Sequence, residues 1–260
     1  MFRLVKSGEL WYYTIEEFDN TGLVKTCFTT KLGGVSKNEY ESLNLRINSD
    51  DSRENILKNY DIICDELGLK KEELVLSHQV HKTDICDVGH NDFGHGIIKP
   101  NKFESADALV TAESGVPLVT FYADCVPVYL LDTKQKVLAL VHSGWRGTAQ
   151  RISEKTVQHM MDKYSSKPED IISAIGPSIR KCHFEVGEEV ACEFDEKFVL
   201  RDKEKPYVDL QGAIESQLQN IGVSNITDSK ICTCCNADIF YSHRTVGNKR
   251  GTMAAIAVLN

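Results

Sequence analysis

Three apolar segments near the middle of the chain limit its fold more than any other feature. They are rich in β-branched residues and only short breaks separate them: VPLVTFYA (116–123), VPVYLLD (126–132) and VLALVHS (137–143). Apolar runs of this length predict strands whose two faces are both buried. The last two runs flank the short segment DTKQK (132–136), so we expect them to pair as a hairpin.

The flanking segments predict helices and strands that cover this sheet. A helix is expected from Asp51 to Leu67, with Asp51 and Glu54 as a capping box and Gly68 as its C-terminal stop. Further strands are expected on both sides of the turn DNTG (19–22) and over 73–88 and 251–259, and a strand followed by a turn is expected over 171–179. Further helices are expected after Gly147, over 186–194 and from an Asp209 cap to Gly222. The mixture lacks strict strand–helix alternation, so we predict an α+β fold whose central sheets are covered by helices. No repeat, low-complexity run or flexible linker divides the chain, which predicts one domain over residues 1–260.

The charge balance and the cysteine content argue against several classes of protein. The net charge is -8, from 30 basic and 38 acidic residues, which disfavours nucleic acid and anionic membranes as partners. No stretch is long and apolar enough to span a bilayer, and the start MFRLVKSGELWYY meets charges too early for a signal peptide. We therefore expect a cytoplasmic protein with no membrane, nucleic-acid or protein partner. Its nine cysteines, an odd number, then favour free thiols, with or without a metal site, over a disulfide framework.

Cys125 and His142 are the first candidates for a functional site. Cys125 begins one arm of the expected hairpin and His142 ends the other, so both can meet at one end of the sheet. A third ligand would come from HQVH, as His78 or His81. Their offset of three places them on opposite faces of an extended segment, and periodicity does not choose between them. Two imidazoles and a thiolate suit zinc and leave a fourth position open for water or substrate. The alternatives without a function are that Cys125 is a small buried side chain and that His142 is an ordinary histidine at a strand end.

Other polar groups follow these positions. Arg146 lies in the turn from Gly144 to Gly147, just before an expected helix. A guanidinium and free backbone amides at this position favour binding of a phosphate or carboxylate. The alternative is that Arg146 is a solvated surface charge. The segment CTCC (232–235) has no matching second pair nearby, which favours buried thiols over a structural zinc site. Near the C-terminus, His243 and Arg244 either line a pocket or cap a strand.

The sequence resembles a known family over nearly its whole length. In chain order, the matching segments are FTTKLGGVS, SLNL, QVH, ADALVT, ADCVPVYLLD, VHSGWRGTA, AIGPSI, EVGEEV and CTCCNADIFYSHR. They resemble the bacterial purine nucleoside phosphorylases formerly called multicopper polyphenol oxidases or laccase-domain proteins, a family that includes peptidoglycan editing factors. Two departures are visible: Ser143 stands where alanine is usual, and His183-Phe184 stands where a small residue and tyrosine are usual.

The resemblance implies a fold, a site and an activity. The fold is a layered α/β/β/α domain related to the catalytic domain of cytotoxic necrotizing factor. The metal ligands are His81, Cys125 and His142, with zinc as the metal and copper as an alternative, and Cys125 and His142 are also the catalytic residues. The implied activity is phosphorolysis of adenosine, inosine and methylthioadenosine, together with deamination of adenosine. The residues that we expect to bind the nucleoside and phosphate are Arg146, Asn44, Asp124 and Arg244.

Three other functions compete with this one. A multicopper oxidase needs several His-x-His pairs, and the eight histidines of this chain form none, although one copper ion in the three-ligand site remains an alternative. A metal-free hydrolase of amides, such as mis-made peptidoglycan precursors, would use Cys125 as nucleophile and His142 as base. A non-enzymatic binding protein would leave the open three-ligand site without a role.

Overall fold

Two six-stranded sheets and seven helices form the described part of the chain, which in this computed structural model comprises residues 1–202 and 204–260. The strands are β1 (Phe2–Ser7), β2 (Leu10–Ile15), β3 (Val24–Thr29), β4 (Val75–Leu76), β5 (Ile85–Asp87), β6 (Ala108–Thr111), β7 (Leu118–Tyr122), β8 (Val126–Asp132), β9 (Val137–Ser143), β10 (Ile171–Ile175), β11 (Val199–Leu200), β12 (Tyr207–Val208), β13 (Asn225–Asp228) and β14 (Met253–Leu259). The helices are α1 (Glu16–Asp19), α2 (Arg53–Leu67), α3 (Trp145–Ala149), α4 (Ile152–Tyr164), α5 (Glu188–Ala191), α6 (Leu210–Asn220) and α7 (His243–Val246).

Both large sheets mix parallel and antiparallel pairs. The first has the order β1-β2-β3-β14-β7-β4, and only its β7–β4 pair is parallel. The second has the order β13-β10-β8-β9-β6-β5, with parallel pairs at its two edges. Strands β11 and β12 form a separate two-stranded sheet.

Three apolar clusters hold the layers together. Buried side chains such as Phe28, Tyr129 and Leu140 fill the space between the two large sheets. Helix α2 packs its apolar face, including Tyr60, on the outer side of the first sheet. Helices α4 and α6 cover the outer side of the second sheet. Helices thus lie outside two stacked sheets, which confirms a mixed α/β single domain, while the relation to the cytotoxic necrotizing factor domain stays a prediction.

The apolar runs behave as expected. Strands β8 and β9 form the predicted hairpin, in which Pro127 pairs with His142. The run before them, β7, belongs to the first sheet. The chain therefore crosses from one sheet to the other between Tyr122 and Val126, and Asp124 adopts a positive φ of 90° at this crossing.

Four local predictions need correction. The N-terminal strand β1 was not predicted. Ser52, rather than Asp51, precedes α2, and no side chain caps the helix. The Asp51 carboxylate instead accepts hydrogen bonds from Ser36 Oγ (2.7 Å) and Asn44 Nδ2 (2.9 Å). The segment 73–88 holds two short strands separated by irregular chain. A first short helix begins at Trp145, so Arg146 lies within a helix and not before it.

Other predicted boundaries hold. Gly68 ends α2 in the left-handed conformation, with φ of 64°. The Asp209 carboxylate accepts a hydrogen bond from Gly212 N and caps α6. Within the described residues, no helix has the length and apolar character needed to cross a bilayer.

Candidate metal centre and active site

Cys125 and His142 meet where the chain passes between the two sheets. Cys125 directly precedes β8, and His142 lies near the end of β9, opposite Pro127. His142 is only 2% exposed. The hairpin register therefore brings the thiol and the imidazole to the same end of the second sheet, as the sequence predicted.

A buried carboxylate, Asp107, positions the histidines. It is fully buried, directly precedes β6, and has one oxygen 2.8 Å from His142 Nδ1. The same carboxylate accepts the backbone N–H groups of Val80, His81 and Lys82 at 3.1, 3.0 and 3.0 Å. These three bonds stabilise a turn in which His81 has a φ of 61°. Asp107 thus orients His142 through its side chain and His81 through its backbone.

The structure brings His81, and not His78, to Cys125 and His142. The ligand atoms of His81, Cys125 and His142 lie within 4.8 Å of one another, and we call these residues the His–Cys–His cluster. His78 lies apart, with its Nδ1 2.7 Å from Phe103 O. The expectation of an extended strand here was wrong, because the turn on Asp107 replaces it.

The cluster has room for a metal ion. A Cβ on Gly144 would lie 2.8 Å from His81 Nδ1 and 3.2 Å from Cys125 Sγ, so only glycine leaves this space free. Thiolate and imidazole are the donors that zinc prefers, and three of them leave one position open. The Nδ1 of His142 faces Asp107, an arrangement typical of metal-binding histidines.

The charges within the cluster favour a thiolate. Burial alone would raise the pKa of Cys125, but the charge and hydrogen bonds of His142 and His81 lower it to about 6. Burial would lower the pKa of His142, but the Cys125 thiolate and the Asp107 carboxylate raise it to about 9. Without a metal, Cys125 and His142 therefore form a thiolate–imidazolium pair near neutral pH.

Two clefts meet at the cluster. The larger has a volume of about 840 Å³ and the smaller about 430 Å³. Both are in the size range of small-molecule sites. The residues that line both clefts are Arg46, His81, Ala123, Cys125 and Arg250. A ligand in either cleft therefore reaches the cluster.

Arg46 and Arg250 are a cationic pair that the sequence analysis missed. Burial and the neighbouring charge of Arg46 lower the pKa of Arg250. Arg250 Nε is buried and has no hydrogen-bond partner among the described residues. Two nearby guanidinium groups with an unpaired donor form a site suited to an anion.

The predicted substrate residues occupy different positions. Arg146 is exposed, lies 4.3 Å from the Trp145 ring centroid, and lines the smaller cleft. Arg244 also lines it, but its guanidinium donates to the carbonyls of His183 (3.0 Å) and Glu185 (2.8 Å). Arg146 is thus the more available of the two cations.

Asp124 and Asn44 make internal contacts. The Asp124 carboxylate accepts from Thr233 Oγ1 (2.6 Å), Ser242 Oγ (3.0 Å) and Arg244 N (2.7 Å), and so ties a distant loop to the residue beside Cys125. Asn44 is fully buried and lines neither cleft. Its Oδ1 accepts the backbone N–H groups of Arg46 (3.0 Å) and Thr252 (3.2 Å). Asn44 therefore fixes the two segments that carry the arginine pair.

The two departures from the family pattern lie close to this site. The buried Ser143 hydroxyl is 2.8 Å from Thr148 Oγ1, so its extra polar atom is satisfied. Phe184 lines the smaller cleft beside Trp145 and supplies an aromatic wall.

Comparisons with known proteins agree with this architecture. A purine nucleoside phosphorylase of Bacteroides thetaiotaomicron is 32% identical over 253 residues, which cover 93% of this chain and 93% of that protein. A protein of the same name from Deinococcus radiodurans is 35% identical over 237 residues, covering 90% and 88%. Among solved structures, YlmD from Geobacillus stearothermophilus superposes with a TM-score of 0.90 at 30% identity, covering 100% of this chain and 98% of that one. The hypothetical protein YfiH from Bacillus licheniformis gives a TM-score of 0.92 at 29% identity, covering 100% and 99%.

The family follows from a match over most of the sequence. Residues 25–260 match the family described as multi-copper polyphenol oxidoreductase laccase. The relatives at 32% and 35% identity extend over nearly the whole chain. The chain therefore belongs to the multi-copper polyphenol oxidoreductase laccase family.

Proposed function

We propose that this protein is a zinc-dependent purine nucleoside phosphorylase acting on adenosine, inosine and methylthioadenosine, which also deaminates adenosine. Relatives named purine nucleoside phosphorylase support an enzyme of this general kind. The observation that carries the proposal is the His–Cys–His cluster at the junction of two clefts that share the arginine pair.

The chemistry of the donors supports zinc, and the same donors also accept copper. A zinc ion held by His81, Cys125 and His142 would supply a Lewis acid and activate water for deamination. The absence of His-x-His pairs argues against a multicopper oxidase.

Phosphorolysis requires the protein to bind phosphate next to the ribose of the nucleoside. A phosphate oxygen forms a bond to the ribose C1′ while the C1′–N9 bond breaks, and its electron pair leaves with the purine, which takes up a proton. The products are the free base and ribose 1-phosphate. Arg46 and Arg250 neutralise the phosphate and orient its oxygen toward C1′, and Arg146 approaches from the smaller cleft. The aromatic walls, Trp145 and Phe184, contact the base.

Incubation with adenosine, with and without phosphate, tests this function. Products are separated chromatographically as adenine, inosine and hypoxanthine. We expect adenine to form only with phosphate, and inosine to form with or without it. A protein that releases no base in the presence of phosphate, although it carries zinc, would contradict the proposal.

One observation favours a second function, the metal-free amide hydrolase. Cys125, His142 and Asp107 line up as nucleophile, base and orienting carboxylate. Iodoacetamide separates the two functions. If Cys125 binds zinc, iodoacetamide should not alkylate it until a chelator is added. If Cys125 is a free nucleophile, iodoacetamide should alkylate it in the purified protein at once, and the protein should lose amidase activity.

A further inference from the structure

A second group of metal-binding side chains lies apart from the His–Cys–His cluster. Cys182, His183, Cys232 and Cys235 each offer one ligand atom, and these four atoms lie within 4.8 Å of one another; we call them the Cys₃His cluster. The sequence offers CTCC no second pair nearby, but the fold brings one from a distant segment. Cys182 and His183 supply that pair from the loop after β10, which is remote in sequence.

We propose that the Cys₃His cluster binds a structural zinc ion with all four ligands from the protein. Tetrahedral geometry with zinc bonds of about 2.3 Å to sulfur and about 2.0 Å to nitrogen places two sulfurs about 3.8 Å apart and a sulfur and nitrogen about 3.5 Å apart. Cys182 Sγ and Cys235 Sγ lie 3.7 Å apart. His183 Nδ1 lies 3.2, 3.5 and 3.7 Å from the sulfurs of Cys182, Cys235 and Cys232. These four of the six ligand–ligand distances are close to those around a tetrahedral ion.

The surroundings also suit a metal-bound thiolate. Cys232 is buried, and the backbones of Cys235 and Arg180 hydrogen-bond to its sulfur. Cys232 and Cys235 have the C-x₂-C spacing that is typical of structural zinc sites.

Cys234 is outside the Cys₃His cluster, although its sulfur contacts that of Cys232. Its sulfur lies 3.1 Å from Ser242 Oγ and 3.9 Å from Asp124 Oδ1. The middle of CTCC therefore belongs to the contacts around Asp124, while its two outer cysteines belong to the Cys₃His cluster.

The site joins the two loops that build one wall of the smaller cleft. One loop carries Phe184, directly after His183, and the other leads into α7, which carries Arg244. Arg244 already donates to the carbonyls of His183 and Glu185. A metal ion between these loops fixes that wall while remaining separate from the His–Cys–His cluster.

Zinc counting in a Cys125→Ser background tests the proposal, because that variant removes a ligand of the other site. The full chain is purified without added metal and dialysed against a weak chelator. We expect about one tightly bound zinc per chain, as a closed four-ligand site predicts. Adding Cys235→Ser or His183→Ala should remove it, whereas His183→Cys should retain it as a four-cysteine site. Cys192→Ser is the matched control, because Cys192 is an exposed cysteine outside the cluster, and it should leave the zinc in place.

Two further measurements remain decisive if a variant fails to fold. Cobalt added to chelated Cys125→Ser protein should give sulfur-to-cobalt charge-transfer absorption that zinc displaces. The Cys125→Ser protein retains eight of the nine cysteines. A thiol titration of this protein after denaturation with chelator should detect all eight. The proposal is overturned if Cys125→Ser protein takes up neither zinc nor cobalt, or if its zinc survives both Cys235→Ser and His183→Ala. It is also overturned if two thiols are missing and peptide mapping places them in a disulfide between cysteines of the Cys₃His cluster.

Discussion

Replacing Asp107 with asparagine tests whether one buried carboxylate positions both histidines of the His–Cys–His cluster. Oδ1 faces His142 Nδ1 and His81 N, and Oδ2 accepts the N–H groups of Val80 and Lys82. An asparagine keeps one acceptor oxygen. In either orientation of its amide, two of these four groups therefore face an NH₂ group.

The expected cost follows from these lost bonds. Three of these groups are backbone N–H groups of exposed residues, and their bonds are only part-buried. Each lost bond therefore costs about 0.5–1.5 kcal/mol, and we expect the free energy of unfolding to fall by about 1–3 kcal/mol. Removing a carboxylate that orients a metal-binding histidine typically weakens metal affinity or activity about 10- to 100-fold. We expect both effects in Asp107→Asn.

The assay is zinc competition with a chromogenic chelator in a Cys235→Ser background, together with urea unfolding. Asp87→Asn is the control, since Asp87 contacts His159 Nε2 (2.9 Å) and Tyr164 Oη (2.6 Å) away from the cluster. That variant should lose stability and keep its zinc affinity. If Asp107→Asn binds zinc as tightly as its parent, Asp107 does not position the ligands.

Three further predictions concern the anion site and the thiol. Arg250→Ala should raise the KM for phosphate about 10- to 100-fold, because a charge-assisted hydrogen bond contributes about 1.5–3 kcal/mol. The control Arg201→Ala, which breaks surface pairs with Glu188 and Glu196, should leave this KM unchanged. Equal KM values for Arg250→Ala and its parent in steady-state assays would exclude Arg250 from the site. Arg146→Ala should raise the KM for phosphate in phosphorolysis far more than the KM for adenosine in deamination, and an unchanged phosphate dependence would remove Arg146 from the site. In metal-free protein, the rate of Cys125 alkylation should rise as the pH increases through about 6, because the thiolate is the reactive form. His142→Ala should move the midpoint of this rise to higher pH. An unchanged midpoint in His142→Ala would show that the imidazole does not lower the pKa of Cys125.

Local pattern was enough to predict the hairpin and the meeting of Cys125 with His142. Both follow from apolar runs joined by a short loop, which fixes the pairing of neighbouring strands. The choice between His78 and His81 did not follow, because the strand argument assumed an extended segment. The turn that presents His81 depends on Asp107, whose partners are 25 to 35 residues away in sequence.

The remaining site residues depend on contacts between distant parts of the chain. Asp107 directly precedes an apolar strand. An acidic residue beside this apolar run, in ADALVT, was the one local signal in the sequence that could have revealed it. Arg46 and Arg250 come from opposite ends of the sequence and meet because Asn44 binds the backbone of both segments. The Cys₃His cluster likewise needs two loops that no periodic pattern connects.

Metal-dependent cleavage of inosine tests the central claim most directly. Ribose 1-phosphate and hypoxanthine formed from inosine, and inosine formed from adenosine, are measured in the Cys235→Ser background, so that only the His–Cys–His cluster holds zinc. The protein is assayed as purified, after chelation to a verified metal-free state, and after zinc is restored. A domain of this size retains its core without the ion, so circular dichroism and a cooperative melt should persist in the chelated protein. We predict that phosphorolysis and adenosine deamination disappear together on chelation and return together with zinc. Phosphorolysis at the original rate by folded, metal-free protein, or recovery of only one reaction, would contradict a shared metal site.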